Sequence, residues 1–297
     1  MNRYEYLALP DVSNFVSWLM AVISGSDKNL FNHSYLMESR GKPQTKKHWS
    51  CNSLYDAFLK YEWSFSYTDF LSGEIVKGKT FIQSEITLAG LRQNLRDAVQ
   101  ENNDDLCFEV CCMILKWGGV LGSETYGNKK SLLQLKPQLA QYLTTVRTFF
   151  AGDALLAKDY KVLVGGVSEP IRMNAGYTKI YSLLCDDFVI YDGRVGAALC
   201  LLVRLYLEFA GQHHRQIPDG LNFSFGHAKN PKVNRNPSTT KYQFHALRNQ
   251  PAIHIRNNLM ANWLIGDLSL QDKGPFSKHS DPYRAFEAAL FMIGYKI

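Results

Sequence analysis

The feature that most constrains the fold is an apolar run at residues 188–210, FVIYDGRVGAALCLLVRLYLEFA. The run predicts a helix from about Arg194 to Ala210, because apolar side chains recur there at every phase of a helical period. A carboxylate, Asp192, stands between the apolar FVIY segment and the start of that helix. The chain therefore places an ionisable group next to two stretches that belong in a protein interior.

The rest of the chain also favours helices. Residues 11–24, 85–100, 104–117, 131–150 and a C-terminal segment beginning at Asp281-Pro282 have helical patterns, and alternating strand patterns are few. Residues 26–50 are polar and show little periodicity, so we expect a surface excursion there. These patterns predict a mainly α fold.

Composition limits the classes of function. Hydrophobic residues make up 46% of the chain and charged residues 20%, as in an ordinary globular protein, and the net charge of +6 fits an anionic partner. No segment resembles a membrane span, and the short apolar run 15–23 lacks the basic leader of a signal peptide. The six cysteines form no CxxC pair. We therefore expect buried, reduced thiols, a cytoplasmic location, and no metal or other cofactor.

Residues 212–257 differ from the rest in composition. They contain seven Lys or Arg residues against one acidic residue, Asp219. Such a basic loop can follow a line of phosphates, and Lys229, Lys232 and Arg235 are candidate DNA contacts. A solvated loop with incidental charge is the alternative interpretation.

The segment MNAGYTKIYSLL, residues 173–184, predicts a tight turn leading into a helix. Gly176 permits a left-handed turn, and Asn174 or Thr178 can cap the helix that follows. Amides exposed at such a helix start can hold a phosphate, with Lys179 adding positive charge. An ordinary interhelical turn would have the same pattern. Likewise, Asp192 alone could be a plain N-cap, with Arg194 as its salt-bridge partner or as a phosphate contact.

Residues 163–199, LVGGVSEPIRMNAGYTKIYSLLCDDFVIYDGRVGAAL, resemble the core of the helix-hairpin-helix DNA glycosylases. That family pairs a hairpin of the form GVGxK with an aspartate before the next helix, and IYDGRVGAAL is similar to the second part. The resemblance implies helical bundles flanking a DNA-binding cleft, with Asp192 as the catalytic aspartate and Lys179 near the position of a lysine nucleophile. It also implies DNA contacts at the hairpin, through Asn174, Gly176, Tyr177 and Thr178, and at Arg194.

The hairpin departs from the family pattern in two ways. It lacks the second glycine and the leading proline, and the interval from Lys179 to Asp192 is shorter than is typical. The predicted enzyme is therefore monofunctional and leaves an abasic site. More narrowly, the chain resembles prokaryotic antiviral glycosylases that remove modified cytosines, such as glucosylated hydroxymethylcytosine, from phage DNA.

The patterns along the chain suggest two regions. Residues 1–150 are expected to form an N-terminal helical region, with a separate subdomain left open. Residues 151–297 are expected to form the hairpin and catalytic region, including the basic loop 212–257.

The expected partner is double-stranded DNA, including phage DNA with modified bases, and no protein partner or membrane is inferred. A non-catalytic, defence-associated DNA-binding module is the alternative. A nuclease is disfavoured because Asp186, Asp187 and Asp192 are too few acids for a metal centre.

Overall fold

The chain is mainly helical, which confirms the predicted class. The computed structural model describes residues 1–25, 30–38, 46–152, 159–211, 216–247 and 250–297. The helices in these ranges are α1 (Arg3–Leu7), α2 (Pro10–Ser24), α3 (Leu54–Leu59), α4 (Phe81–Gln100), α5 (Asp104–Trp117), α6 (Gly127–Leu135), α7 (Leu139–Phe150), α8 (Tyr177–Leu184), α9 (Gly193–Phe209), α10 (Pro251–Gln271) and α11 (Pro282–Ile293). None of these helices has both the length and the apolar character needed to cross a membrane.

The strands are short, and they are paired two by two. Three pairs are antiparallel: β1 (His33–Glu38) with β2 (Lys46–Cys51), β3 (Phe65–Thr68) with β4 (Ile75–Gly78), and β5 (Lys161–Val164) with β6 (Val167–Pro170). The fourth pair, β7 (Ser224–Phe225) and β8 (His245–Ala246), is parallel. Residues 26–50, expected to be a surface excursion, contain β1 and most of β2, and the expectation is wrong for Tyr35 and Trp49, which are buried.

Local sequence signals explain several helix starts. Thr80 and Gln83 form a capping box at α4, and the Asn103 side chain accepts from the Leu106 amide at the start of α5. The predicted cap at Asp281 is confirmed, because its carboxylate accepts from the Arg284 amide at 3.0 Å. Each cap satisfies an amide that would otherwise lack a partner in the first turn.

The chain divides into two units, and neither is continuous in sequence. The first unit comprises Met1–Arg3, Glu62–Asp192 and Asn249–Asn262, and the second comprises Tyr4–Tyr61, Gly193–Arg248 and Trp263–Ile297. This division does not coincide with the expected one between residues 150 and 151.

Within the first unit, α8 is the central helix. All eight of its residues are buried, and it packs against α4, α5 and α7. Helix α5 supplies much of the surrounding core, including three free, buried cysteines, Cys107, Cys111 and Cys112. In the second unit, α11 packs against α3 and α9.

The predicted basic loop 212–257 ends earlier than expected. Helix α10 begins at Pro251, so the last residues of the expected loop, including Arg256, are helical. Arg215, Arg248 and the His213-His214 pair lie outside the described residues.

Candidate functional site

Lys179 lies in the first turn of α8, and its side chain is enclosed by the first unit. The residue is only 5% exposed, and a lysine is rarely buried to this extent unless its charge is paired. Its Nζ donates a hydrogen bond to the Ala175 carbonyl at 2.9 Å and lies 3.7 Å from Asp192 Oδ2. Gly118 leaves room for the lysine, since a Cβ there would lie 2.5 Å from Lys179 Cε. We call these two ionisable residues the Lys179–Asp192 pair.

Asp192 ends a buried segment that returns along α8. The chain leaves that helix at Leu184, and the Tyr191 amide then donates to Thr178 Oγ1 at 2.9 Å. This return brings Asp192 close to Lys179, which lies thirteen positions earlier in the sequence. The aspartate side chain is 16% exposed and the lysine side chain 6%. The carboxylate is thus the member of the pair more accessible to an incoming molecule.

In the hairpin before α8, the backbone amides donate hydrogen bonds to acceptors within the hairpin itself. Asn174 Oδ1 accepts from the amides of Gly176 and Tyr177, at 2.7 and 3.1 Å. The Thr178 amide donates to the Asn174 carbonyl, and the Lys179 amide to the Gly176 carbonyl. The N-cap position of α8 is Gly176, so Asn174 is not the N-cap residue, although its side chain accepts from two amides at the helix start. Because these bonds occupy the four amides from 176 to 179, the geometry does not support phosphate binding by them.

Gly176 has a different role from the one expected. Its φ is −84°, so the predicted left-handed turn at this position is wrong. A Cβ at Gly176 would collide with the side-chain amide of Asn128 and would lie 3.0 Å from Leu115 Cδ2. Asn128 Oδ1 in turn accepts from Asn174 Nδ2 at 2.9 Å. The glycine therefore permits close packing of the hairpin, and Asn174 serves that packing with both ends of its side chain.

Tyr177 and Thr178 are interior residues. Tyr177 is 1% exposed and Thr178 is fully buried. The Tyr177 hydroxyl hydrogen-bonds with Ser131 Oγ at 2.7 Å, and Thr178 Oγ1 lies 2.7 Å from Asn258 Oδ1. Direct contact of these side chains with DNA, as predicted from the sequence, is contradicted by their burial.

A row of buried polar side chains on α10 holds the segment before Asp192. This α10 polar row consists of His254, Asn257, Asn258 and Asn262, all at most 8% exposed. Asn262 Oδ1 accepts from the Val189 amide at 2.8 Å, and Asn258 Nδ2 donates to the Val189 carbonyl at 3.1 Å. None of the strands in the described ranges pairs with this segment, so side chains satisfy the backbone groups that a sheet would pair.

His254 is the titratable member of the α10 polar row. Its Nε2 lies 2.7 Å from the Tyr191 carbonyl. Since a carbonyl only accepts, Nε2 carries the proton. Burial lowers the pKa of His254 from 6.5 to about 4, and the Lys179 charge acts in the same direction, whereas the Tyr191 carbonyl and the Asp192 charge oppose it. The ring is therefore neutral near pH 7 and adds no charge beside the Lys179–Asp192 pair.

Arg194 and Arg235, two predicted DNA contacts in the second unit, both contact Tyr295. The Arg194 guanidinium lies over the rings of Phe291 and Tyr295, with its Cζ 4.2 and 4.9 Å from their centroids. Arg235 Nε donates to the Tyr295 carbonyl at 3.2 Å. Both arginines are partly exposed, and the cation–π contacts orient Arg194. Lys229 and Lys232 are exposed.

The α10 polar row was missed by the sequence analysis. The basic and Asn-rich composition of residues 212–257 favoured a loop and hid the helix. A usable signal exists, because polar residues at positions 254, 258 and 262 recur every four residues among Ile255, Leu259 and Met260. A polar row on an apolar helix indicates buried hydrogen bonding.

No protein-family model, no curated protein and no solved structure matches the chain. The site is therefore interpreted from its own geometry.

Proposed function

We propose that this protein is a DNA glycosylase that cleaves the N-glycosidic bond of a flipped, modified or damaged base. The observation that carries the proposal is the Lys179–Asp192 pair: a carboxylate at the edge of the interior, held 3.7 Å from a buried lysine. Its position directly before α9 also agrees with the resemblance noted in the sequence. The candidate substrate is glucosylated hydroxymethylcytosine in phage DNA.

The chemistry assigns the main role to Asp192. A base stacked in a duplex is out of reach, so the nucleotide must be rotated out of the helix first. When the bond between the base and C1′ breaks, the base leaves with the bonding electrons and the sugar acquires positive charge. A fixed carboxylate stabilises that charge. Water then adds to C1′ and gives its proton to the carboxylate, which leaves an abasic site.

Lys179 has a supporting role in this proposal. Its ammonium donates to the Ala175 carbonyl and its side chain is less exposed than that of Asp192. We therefore assign the first contact with the sugar to Asp192, and we retain a monofunctional enzyme. Attack by Lys179 on C1′ would instead form a covalent intermediate, which borohydride reduction traps on the DNA.

The basic side chains of the second unit support DNA as the partner. Lys229 and Lys232 are exposed and can approach phosphates, whereas Arg194 is oriented by two rings. Contacts of this kind hold the backbone in register and carry no sequence information. Recognition of the base would then depend on its modification.

The test is base release from defined oligonucleotides by the full chain. Duplexes carry normal cytosine, damaged bases or glucosylated hydroxymethylcytosine; alkali reveals abasic sites and chromatography detects the free base. Asp192→Asn is expected to lower the rate by about 100-fold or more, as loss of an electrostatic stabiliser does. Asp186→Asn is the matched control, since that carboxylate is 75% exposed and pairs with Arg96.

Three results would contradict parts of the proposal. Absence of base release on every duplex would overturn the enzyme and leave the non-catalytic DNA-binding module. Equal activity of Asp192→Asn and wild type would overturn the site. A borohydride adduct that disappears in Lys179→Met would replace the monofunctional enzyme with a bifunctional one.

A further inference from the structure

The backbone of Tyr191, the residue directly before Asp192, is held from two helices. Its amide donates to Thr178 Oγ1 of α8 at 2.9 Å, and its carbonyl accepts from His254 Nε2 of α10 at 2.7 Å. Its phenol donates to Asn257 Oδ1 at 3.1 Å. Because the Tyr191 carbonyl belongs to the peptide bond that leads into Asp192, the bond to His254 fixes the plane of that peptide. The direction in which the Asp192 side chain leaves the backbone depends on this plane.

His254 differs from the asparagines of the α10 polar row because it can gain a charge. The charged groups that act on its ring are Asp192, directly after the segment, and Lys179 on α8. The Tyr191 ring packs edge-on against the imidazole, with centroids 5.6 Å apart. A neutral imidazole in this position donates one hydrogen bond and leaves the Lys179–Asp192 pair intact. A second cation would compete with Lys179 for the carboxylate.

We infer that His254 is a positioning residue for Asp192, acting through the hydrogen bond from its neutral imidazole to the Tyr191 carbonyl. The inference rests on the proposed function, because the group being positioned is the proposed catalytic carboxylate. His254 contacts the Tyr191 backbone and is only 5% exposed, so we assign it no contact with the sugar. It is therefore expected to affect the chemical step and to leave DNA binding unchanged.

Two substitutions separate the hydrogen bond from the volume of the ring. In His254→Gln, the side-chain amide nitrogen can take the place of Nε2 and donate to the same carbonyl. In His254→Leu, the volume remains but the donor is lost. Single-turnover base release at saturating protein is expected to fall by about 10- to 100-fold in His254→Leu, as for other residues that orient a reacting group. The Kd for DNA is expected to stay within about 3-fold of wild type, and His254→Gln to recover most of the rate.

A control separates positioning from loss of stability. Asn103→Ala removes the cap of α5, which is a local defect in the same unit. Its base-release rate, measured well below its unfolding temperature, is expected to equal that of wild type. Nitrogen-15 NMR of labelled histidine provides a readout that needs no activity, because the Nε2-protonated neutral tautomer has a distinct pair of ring nitrogen shifts.

The outcomes distinguish this inference from the proposed function. An active wild type together with an unimpaired His254→Leu overturns the positioning role alone, as does an equal loss of rate in the Leu and Gln variants. If His254→Leu does not fold, the rate of His254→Gln and the NMR tautomer decide: a Gln variant slowed as much as an Asp192→Asn variant, or an Nδ1-protonated ring, overturns the inference. A wild type that releases no base from any duplex overturns the proposed function and the inference with it.

Discussion

Gly118 determines the space in which the Lys179 side chain lies. Its φ is not in the left-handed region, so the need for glycine comes from the close approach of the lysine stem. We expect Gly118→Ala to push Lys179 away from Asp192 and to reduce the free energy of unfolding by about 1–3 kcal/mol, as overpacking of an interior does. Urea denaturation measures the stability. A lower rate of base release would indicate that the Lys179–Asp192 pair has been displaced.

The control for this substitution is Gly90→Ala in α4. Nothing lies within 4 Å of a Cβ at Gly90, so the added methyl group meets open space. There the substitution is expected to stabilise the protein by about 0.5–1 kcal/mol, because alanine loses less backbone entropy in a helix. If Gly118→Ala were as benign as Gly90→Ala, Lys179 would have more freedom than its packing indicates.

His254 also makes the stability of the fold depend on pH. Its pKa is about 4 in the folded chain and 6.5 in the unfolded chain, so between these values the unfolded state binds more protons. The contribution of the neutral ring is therefore complete above about pH 6.5 and is lost as the pH falls towards 4. At about 1.4 kcal/mol per pKa unit, the loss amounts to about 3 kcal/mol.

Urea denaturation of wild type and His254→Gln between pH 4 and 7.5 measures this contribution. Carboxylates, and His33, whose pKa is also lowered by burial, contribute to both proteins and cancel in the difference. The free energy of unfolding of wild type is expected to decrease more steeply with acid than that of His254→Gln. Parallel curves would show that the ring is protonated in the folded protein as easily as in the unfolded one.

At the scale of elements, α10 stabilises the segment before Asp192 through its polar row. Replacing Asn262 by Ala removes the acceptor of the Val189 amide, which then remains buried without a partner from that side. We expect a loss of about 1–3 kcal/mol in the free energy of unfolding, the usual penalty for such a group. Gln271→Ala, at the exposed end of the same helix, is expected to change stability by no more than about 0.5 kcal/mol. Equal effects would show that water replaces the lost side chain.

Amphipathic helices were predictable from the sequence and α10 was not. Helices α2, α5, α9 and α11 have apolar faces or runs that indicate their positions, and their predicted and observed bounds agree closely. Helix α10 buries histidine and asparagines, so its pattern lacks a clean apolar face. The same reason limited the prediction of the site. Asp192 and Lys179 could be singled out from their local sequence. The residues that hold this part of the chain make contacts across about 60 to 80 positions of sequence, which local patterns do not reveal.

At the scale of the whole molecule, the division into units was also beyond the sequence. Each unit combines three separate segments of the chain, and the boundary after Asn262 falls inside helix α10. Composition changes little at that boundary. Such a division is set by long-range packing, which becomes visible only when the chain is folded.

If DNA is the partner, as proposed above, the net charge of +6 favours its approach, and a local phosphate contact would add to that attraction. Two lysine variants separate the effects, because each lowers the net charge from +6 to +5. Lys232 is exposed in the basic loop, whereas the Lys60 ammonium is 2.8 Å from the Asp56 carboxylate and also donates to the Ser50 carbonyl. Of these two lysines, Lys232 is the one expected to contact a phosphate and to release the counterions bound there.

Binding to a duplex, measured by fluorescence anisotropy between 50 and 200 mM salt, tests this distinction. Each phosphate contact contributes about 0.9 to the slope of log affinity against log salt. Lys232→Ala is therefore expected to reduce the slope by about 1 and to weaken binding equally for all sequences. Lys60→Ala is expected to leave the slope unchanged. Equal slopes for the two variants would mean that DNA senses only the overall charge, and the basic loop would then be a solvated segment.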